Sequence, residues 1–258
     1  MSIINRPLNF IYLKSHKTAS SSIEAFLINE TALGSDMFCT SRDILKIGDR
    51  RFQDRKRKIF KLPFTHYFFD IPSQYYVRGI ARLFPHIKEH QSGIELKSIL
   101  GTDFWGKALK STSVRNPWDA MVSLYRWVKV GRYGRSFPKD LDWDDFLMRV
   151  CKVDECMTGW SIAQEYLFYP YLFDENACFV DHVFYFEDLR GSFAELKETL
   201  DLSASDFDKA AYFFKNNRSQ RDYRKDYTDD QALLVLNHFS ELLALFPYQF
   251  EKINSKPF

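Results

Sequence analysis

Three short apolar runs in this chain are each followed by a polar junction and then by a helical pattern. The runs are Leu8–Leu13, Ala108–Val114 and Cys178–Phe186, and their length and their β-branched and aromatic residues are typical of buried strands. Strands that alternate with helices form a parallel sheet covered on both faces. We therefore predict one α/β domain over residues 1–258, with a central parallel sheet flanked by helices and with helical or irregular cap segments.

Capping residues mark where several helices are expected to begin. A Ser-x-x-Glu capping box at Ser92 predicts a helix through about Leu100, and a Thr-x-x-Gln box at Thr228 predicts a final helix to about Phe246. Ser21 opens a similar box after the first strand. Further helices are predicted over 117–128, 143–150, 161–168 and 189–200, and the core candidates of the final helix are Leu233, Leu236 and Leu243.

Composition and charge decide which broad classes of protein remain. Hydrophobic residues make up 45% of the chain, with only 10 Gly and 9 Pro, which excludes disordered and collagen-like proteins. The net charge of +2 gives no global field that favours nucleic acid or an anionic membrane. The apolar runs are too short for a membrane span. Four cysteines without a CxxC pattern, and no apolar leader before Pro7, predict a soluble protein in a reduced, cytoplasmic setting.

Aromatic and basic residues each allow two interpretations. The chain has 25 Phe, 14 Tyr and 5 Trp, which either build the core or line a site for flat or saccharide-like ligands. Their density over 60–84 makes this stretch a candidate wall for a ligand. Segment 42–58 holds eight basic and three acidic residues, and it is either a solvated surface segment or a docking strip for an acidic partner.

The junction after the first strand has the chemistry of a phosphate cradle. It combines the ammonium groups of Lys14 and Lys17 with backbone N–H groups at the start of a helix. Its hydroxyl donors are Thr18, Ser20, Ser21 and Ser22. Residues 14–22 contain no glycine, so this is not the GxxxxGK[ST] loop of nucleoside triphosphatases. Serine clusters also occur as ordinary helix caps, and both interpretations remain open.

A second strand–helix junction follows the strand that ends at Val114. Asn116 is a favourable N-cap and Pro117 a favourable first helical residue. Arg115 should leave the sheet at the same edge as the first junction, and Ser123 lies two helical turns further on. A guanidinium and a hydroxyl can then share one phosphate. The alternative is an arginine ion pair and a surface serine.

Together these segments resemble the sulfotransferase family. Lys17-Thr-Ala-Ser-Ser-Ser22 after a strand is similar to its 5′-phosphosulfate loop, and Arg115-Asn-Pro-Trp-Asp-Ala-Met-Val-Ser-Leu-Tyr125 is similar to its 3′-phosphate motif. Later similarities are Phe186-Glu-Asp-Leu189, Asn217-Arg-Ser, Tyr223, Tyr227 and Phe246-Pro-Tyr-Gln-Phe250. The most similar branch includes glycan O-sulfotransferases and their soluble bacterial relatives. His16 stands where relatives commonly have proline, and Ala120 where an arginine often follows the aspartate.

The resemblance implies a P-loop-like α/β fold that binds 3′-phosphoadenosine 5′-phosphosulfate (PAPS) and transfers its sulfuryl group to an acceptor hydroxyl or amine. Saccharide, lipid and small-molecule acceptors all remain open. The cofactor-binding residues it implies are Lys14, Lys17, Thr18, Ala19, Ser20, Ser21, Ser22, Arg115, Ser123, Arg218 and Tyr227. Lys17 would also stabilise the leaving phosphate, and no metal is demanded. His90, in a Lys88-Glu-His-Gln-Ser92 setting similar to a family segment, is the expected general base, with a structural histidine as the alternative.

Two other functions remain as alternatives. The string His86-Ile-Lys-Glu-His90 matches the H-x-x-E-H pattern in which two imidazoles one helical turn apart hold zinc and Glu89 acts as base. The capping box at Ser92 disfavours it, because a helix through these residues would end almost where it began. The second alternative is a non-catalytic module that binds an anionic polymer through segment 42–58.

Overall fold

A computed structural model describes residues 2–6, 8–20, 22–23, 26–27, 90–130, 137–138, 140–152, 161–174, 177–202, 222–246 and 248–250. Several features singled out above lie outside the described residues: segments 42–58 and 60–84, and residues Ser21, Glu24, His86, Glu89 and Arg218.

The described elements alternate strands with helices, as the sequence predicts. Ser20, Ser22, Ile23, Phe26 and Leu27 are helical. In chain order the other elements are β1 (Ile3–Asn5), β2 (Phe10–Leu13), α1 (Gly93–Leu100), α2 (Thr102–Lys107), β3 (Leu109–Val114), α3 (Pro117–Lys129), α4 (Trp143–Val150), α5 (Ile162–Leu167), α6 (Tyr169–Leu172), β4 (Phe173–Asp174), β5 (Ala177–Cys178), β6 (His182–Tyr185), α7 (Leu189–Thr199), α8 (Asp229–His238) and α9 (Ser240–Leu245). Single 3-10 turns cover Phe186–Asp188 and Tyr223–Asp226.

The central sheet is mixed rather than parallel throughout. Its order is β1-β2-β3-β6, and β2, β3 and β6 run parallel, as expected. Strand β1 pairs antiparallel with β2, with Ile4 opposite Ile11, so the prediction of a wholly parallel sheet is wrong at this edge. The turn between the two strands is closed by a bond from Asn9 N to Arg6 O, and so short a connection can join only antiparallel strands. The same turn contains Leu8, so the strand predicted from Leu8 begins at Phe10.

Helices cover both faces of the sheet, as the sequence predicts. Successive residues of a strand face opposite ways, and Phe10 and Tyr12 pack with Ile23, Phe26 and Leu27 and with α7. Ile11 and Leu13 face the other layer, where they pack with α1, α2 and α6. The largest buried cluster joins Val114 to α3, α4, α5, α8 and α9. The sheet is therefore the middle layer of three.

The third predicted strand and the final predicted helix are each divided in the structure. Residues 177–178 pair with β4 in a separate two-stranded sheet, and β6 begins only at His182. The final helix is interrupted at Phe239, between α8 and α9. Its predicted core candidates are wrong for Leu233 and Leu236, which are 54% and 43% exposed. The buried residues are Ala232, Val235, Phe239 and Leu242, a stripe of the same period one residue earlier.

Local helix signals agree closely with the structure. Both Ser92 and Thr228 form the predicted capping boxes, with Glu95 and Gln231 bonding back to the cap N–H groups. The helices predicted over 143–150, 161–168 and 189–200 are α4, α5 and α7, with bounds shifted by at most one residue. Among the described residues, no helix combines the length and the apolar character that crossing a membrane requires.

Candidate anion-binding site

Two strand–helix junctions meet at one edge of the sheet. In the parallel register, Leu13 is opposite Thr112 and Val114 is opposite Tyr185. Lys14, Arg115 and the 3-10 turn that starts at Phe186 therefore leave the sheet at the same edge. The sequence-based placement of Lys14 and Arg115 at a common edge is confirmed.

The loop after β2 holds two residues in the left-handed backbone region. Lys17 has φ of 61° and Ala19 has φ of 60°, whereas Thr18 between them does not have a positive φ. A non-glycine residue in this region costs roughly 1–3 kcal/mol, and such residues are concentrated at functional sites. Backbone that alternates between the two hands turns its N–H groups toward one concavity, which is a common anion-binding arrangement.

A buried hydroxyl network beneath the loop holds this conformation. Ser113 Oγ lies 2.7 Å from Thr18 Oγ1, 2.9 Å from Ser15 Oγ and 3.0 Å from the Tyr12 hydroxyl oxygen. Ser15 also donates to the Ser113 carbonyl oxygen over 2.5 Å. The expected role of the Thr18 hydroxyl as a donor to an anion is not supported, because Thr18 is fully buried and its hydroxyl serves this network. A contribution of Thr18 to an anion site would come from its backbone N–H.

Arg115 connects the two junctions directly. Its Nη1 donates to the Lys17 carbonyl oxygen over 2.9 Å. Nε and Nη2 bind Asp119 over 2.8 and 2.6 Å, and the guanidinium carbon lies 4.0 Å from the centre of the Phe186 ring. The ion pair of the alternative interpretation is thus present, and Arg115 also lies beside the loop after β2. One N–H on each terminal nitrogen remains without a partner among the described residues.

The start of helix α3 is fixed by a cap and a buried carboxylate. Asn116 accepts a bond from Trp118 N as its N-cap, over 3.1 Å. Asn116 N donates to Glu187 over 2.7 Å, and the Tyr248 hydroxyl donates to the other oxygen of that carboxylate over 3.0 Å. Burial raises the pKa of Glu187. This carboxylate therefore links β6 and the region near the end of the chain to the start of α3.

The Lys17 side chain lies over helix α3. Its Nζ is 5.5 Å from the ring centre of Trp127, a favourable cation–π distance. Trp127 is one helical turn beyond Ser123, so the two share a face of α3. Ser123 is buried. Lys17, Arg115 and the Ser123 face of α3 therefore enclose the same corner of the sheet edge.

His90 contacts the loop after β2 with both the edge and the face of its ring. Its Nδ1 is 2.9 Å from the Lys14 carbonyl oxygen. A carbonyl only accepts, so the neutral ring carries its proton on Nδ1 and its lone pair on Nε2. Burial, followed by the charge of Lys14, lowers the pKa of His90 to about 3. The ring is stacked on His16 at 3.3 Å between centroids, and His16 is stacked on Tyr166 at 3.8 Å.

The remaining predicted site residues differ in their placement. Lys14 is only 2% exposed, Ser20 is buried, and Ser22 is half-buried. Tyr227 donates to the Trp118 carbonyl oxygen over 2.8 Å, so its hydroxyl is used in the first turn of α3. Ser21 and Arg218 lie outside the described residues.

The backbone at His90 bears on the zinc alternative. In the H-x-x-E-H arrangement both histidines lie on one helix, but His90 has φ of 59° and α1 begins only at Gly93, after the Ser92 cap. His86 and Glu89 are outside the described residues. Within the described ranges, no three His, Cys, Asp or Glu side chains are grouped so that they could hold a metal ion.

Sequence reasoning missed the contacts that unite this site. The Asp119 partner of Arg115 has a local signal, because the two residues are four apart in the chain and Asp119 lies in the first turn of α3. The stack of Tyr166, His16 and His90 joins segments far apart in the chain, and no local pattern signals it. Comparisons with known family models, curated proteins and solved structures find no match for this chain.

Proposed function

We propose that this protein is a PAPS-dependent sulfotransferase with a P-loop-like α/β fold. The observation that carries the proposal is the bond from Arg115 Nη1 to the Lys17 carbonyl oxygen. It joins the loop that resembles a phosphosulfate cradle to the arginine that resembles a 3′-phosphate ligand. The donor set fits such a molecule, since it offers a planar guanidinium, an ammonium and a loop with alternating backbone hand.

PAPS supplies the sulfuryl group: its sulfur–oxygen bond to the 5′-phosphate breaks as a new sulfur–oxygen bond to the acceptor hydroxyl forms. Lys17 stabilises the charge that develops on the leaving phosphate, and the backbone N–H groups of the loop after β2 act with it. Arg115 and Ser123 bind the 3′-phosphate. His90 takes the proton of the acceptor hydroxyl on its Nε2, because its Nδ1 already carries a proton that is donated to Lys14 O.

The low pKa of His90 suits this role only when an anion is bound. At neutral pH the ring is unprotonated, as a base must be, but a pKa of about 3 makes it a weak base. The Lys14 charge contributes to that depression. A bound anion beside the loop offsets this positive charge and raises the pKa of His90. Donor binding would therefore strengthen the base just before the proton is transferred.

The direct test is transfer of label from ³⁵S-PAPS. The protein is incubated with labelled PAPS and an extract of its source cells, and with saccharide, lipid and phenol acceptors separately. We expect label in one acceptor class, and tight binding of adenosine 3′,5′-bisphosphate relative to adenosine 5′-phosphate. Failure to bind the bisphosphate would overturn the proposal. Binding of an anionic polymer without any nucleotide would instead favour a non-catalytic module.

A further inference from the structure

His16 is enclosed between two aromatic rings from different parts of the fold. The centroids of the His16 and His90 rings are 3.3 Å apart, with an interplanar angle of 19°. The centroids of the His16 and Tyr166 rings are 3.8 Å apart, with an interplanar angle of 20°. A fourth ring, Tyr171, meets His16 edge-on at 6.2 Å. The loop after β2, helix α5 and the turn before α1 therefore converge on one imidazole.

The geometry of this stack excludes a proton relay between the two histidines. The nitrogen atoms of an imidazole bond in the plane of the ring, and two nearly parallel rings in face contact cannot point them at each other. His16 therefore acts on His90 through its face. The edge of His90 is held separately, by the bond from Nδ1 to the Lys14 carbonyl oxygen over 2.9 Å.

One edge contact by itself does not fix an imidazole. The ring can still turn about its Cβ–Cγ bond over the range of angles that a hydrogen bond tolerates, which swings Nε2 through an arc. The face contact with His16 removes this freedom, because rotation would drive the two rings into each other at 3.3 Å. Tyr166 supports His16 from the far side, so the stack cannot yield by moving the His16 ring away.

Charge around the pair favours the neutral rings. Burial lowers the pKa of His16, and so do the charges of His90, Lys14, Lys17 and the amino terminus. The other polar neighbours on the packed elements are Tyr166 and Tyr171, and Tyr171 in turn is near Glu95 and Glu165. Two stacked imidazolium rings would repel each other, so the pair takes up at most one proton.

We propose that His16 is a positioning residue for His90, which holds the His90 ring in one plane and one tautomer so that only Nε2 exchanges protons with a substrate. The catalytic part of this inference rests on the proposed function. The positioning part concerns His90 itself and can be measured without turnover. The sequence of the loop after β2 does not by itself indicate this role of His16.

A matched pair of substitutions separates the ring face from the side-chain volume. His16→Phe keeps a flat face for His90, whereas His16→Leu fills a similar volume without one. Histidine ¹⁵N shifts report which ring nitrogen of His90 is protonated at pH 7, and whether the ring stays neutral at pH 5. We expect the wild type and His16→Phe to keep the Nδ1–H tautomer and a neutral ring. In His16→Leu we expect a mixture of the two tautomers at pH 7.

Single-turnover transfer from labelled PAPS gives the second readout. We expect His16→Leu to lower its rate roughly 10- to 100-fold, the range that misplacement of a reacting group produces, and His16→Phe to restore most of it. His238→Gln, on α8, serves as a histidine control that leaves both readouts unchanged. Circular dichroism confirms that each variant is folded.

The two proposals fail in different ways. If His16→Leu leaves the tautomer of His90 as in the wild type, the positioning role is wrong, whatever the enzyme does. It is also wrong if His16→Phe disturbs His90 as much as His16→Leu does, because the ring face would then not be the cause. If the wild type transfers no sulfuryl group, the proposed function fails, and the ¹⁵N shifts still decide the positioning role.

Discussion

The guanidinium of Arg115 lies 2.9 Å from the main-chain oxygen of Lys17, a residue 98 positions earlier in the chain. This bond ties the two strand–helix junctions into one structural unit. It also places a planar cation beside a loop whose backbone alternates in hand at Lys17 and Ala19.

Replacing Arg115 should weaken nucleotide binding more than it affects the chemical step. Arg115→Lys keeps the charge but loses the planar fork, and a charge-assisted hydrogen bond contributes about 1.5–3 kcal/mol. We expect adenosine 3′,5′-bisphosphate to bind roughly 10- to 100-fold more weakly, measured by calorimetry. The matched control is Arg126→Lys, whose guanidinium pairs with Asp226 on the exposed side of α3. Equal binding by both variants would remove Arg115 from the site.

Lys17→Ala should slow the transfer step. Loss of a positioned charge that stabilises a leaving group lowers a rate by roughly 10²–10³-fold, and single-turnover transfer measures this separately from binding. The variant also loses the contact between Nζ and Trp127, so tryptophan fluorescence should change. Lys107→Ala is the control, since Lys107 pairs with Asp103 on an exposed side of α2. An unchanged single-turnover rate in Lys17→Ala would contradict the role in catalysis.

His90→Ala should abolish most turnover while it leaves the nucleotide bound. Loss of a general base typically lowers kcat by roughly 10²–10⁴-fold. The Nδ1 of His90 binds a main-chain oxygen of the loop after β2, which is not an anion-binding group, so the affinity for adenosine 3′,5′-bisphosphate should change little. In the wild type, binding of this nucleotide should raise the pKa of His90 from about 3, as ¹⁵N shifts would show. A fully active His90→Ala enzyme would exclude His90 as the base.

The free energy of unfolding should fall as the pH is lowered below about 6.5. Burial lowers the pKa of His90 to about 3 and of His238 to about 4, and it also lowers the pKa of His16 and His182. Unfolded histidines bind protons from about pH 6.5, so the unfolded state gains protons that the folded state excludes. Each such histidine contributes up to about 1.4 kcal/mol of lost stability per pH unit.

Urea unfolding at pH 7, 6 and 5 measures this slope. The raised pKa of Glu187 acts in the opposite direction, because the folded state then binds the extra proton in acid. We expect the histidines to dominate between pH 6.5 and 5, and His238→Gln to reduce the slope. A stability that stays constant over this range would contradict the neutral, buried state of these rings.

Two glycines offer opposite predictions for stability. A Cβ at Gly93 would lie 2.2 Å from the tip of the Phe179 ring, which itself packs on Trp105. Gly93→Ala should therefore cost roughly 1–3 kcal/mol through overpacking. A Cβ at Gly106 in α2 meets nothing within 4 Å, and Gly106→Ala should stabilise by roughly 0.5–1 kcal/mol. Urea unfolding measures both, and a destabilised Gly106→Ala would show that helix propensity does not decide that position.

Local signals predicted the elements because their causes are local. A capping box such as Ser92 with Glu95 is complete within four residues, and a stripe of apolar residues needs only the helical period. The final helix shows the limit of this reasoning. Stripes that begin at Ala232 and at Leu233 fit the period, and the structure buries the first. The Ala232 carbonyl oxygen accepts a hydrogen bond from the Trp118 side chain. This tertiary contact is made on the side of the helix that is buried.

By itself, the sequence determined the alternation of strands and helices, the capping residues, and the positions at which Lys14 and Arg115 leave their strands. These follow from backbone propensity and side-chain periodicity, which act over a few residues. Only the tertiary structure decided that β1 runs antiparallel, that the Thr18 hydroxyl lies inside a buried network, and that His16 stacks on His90. Each of these depends on which distant segments pack together. Local residue patterns act over a few residues, so they do not specify which remote segments come into contact.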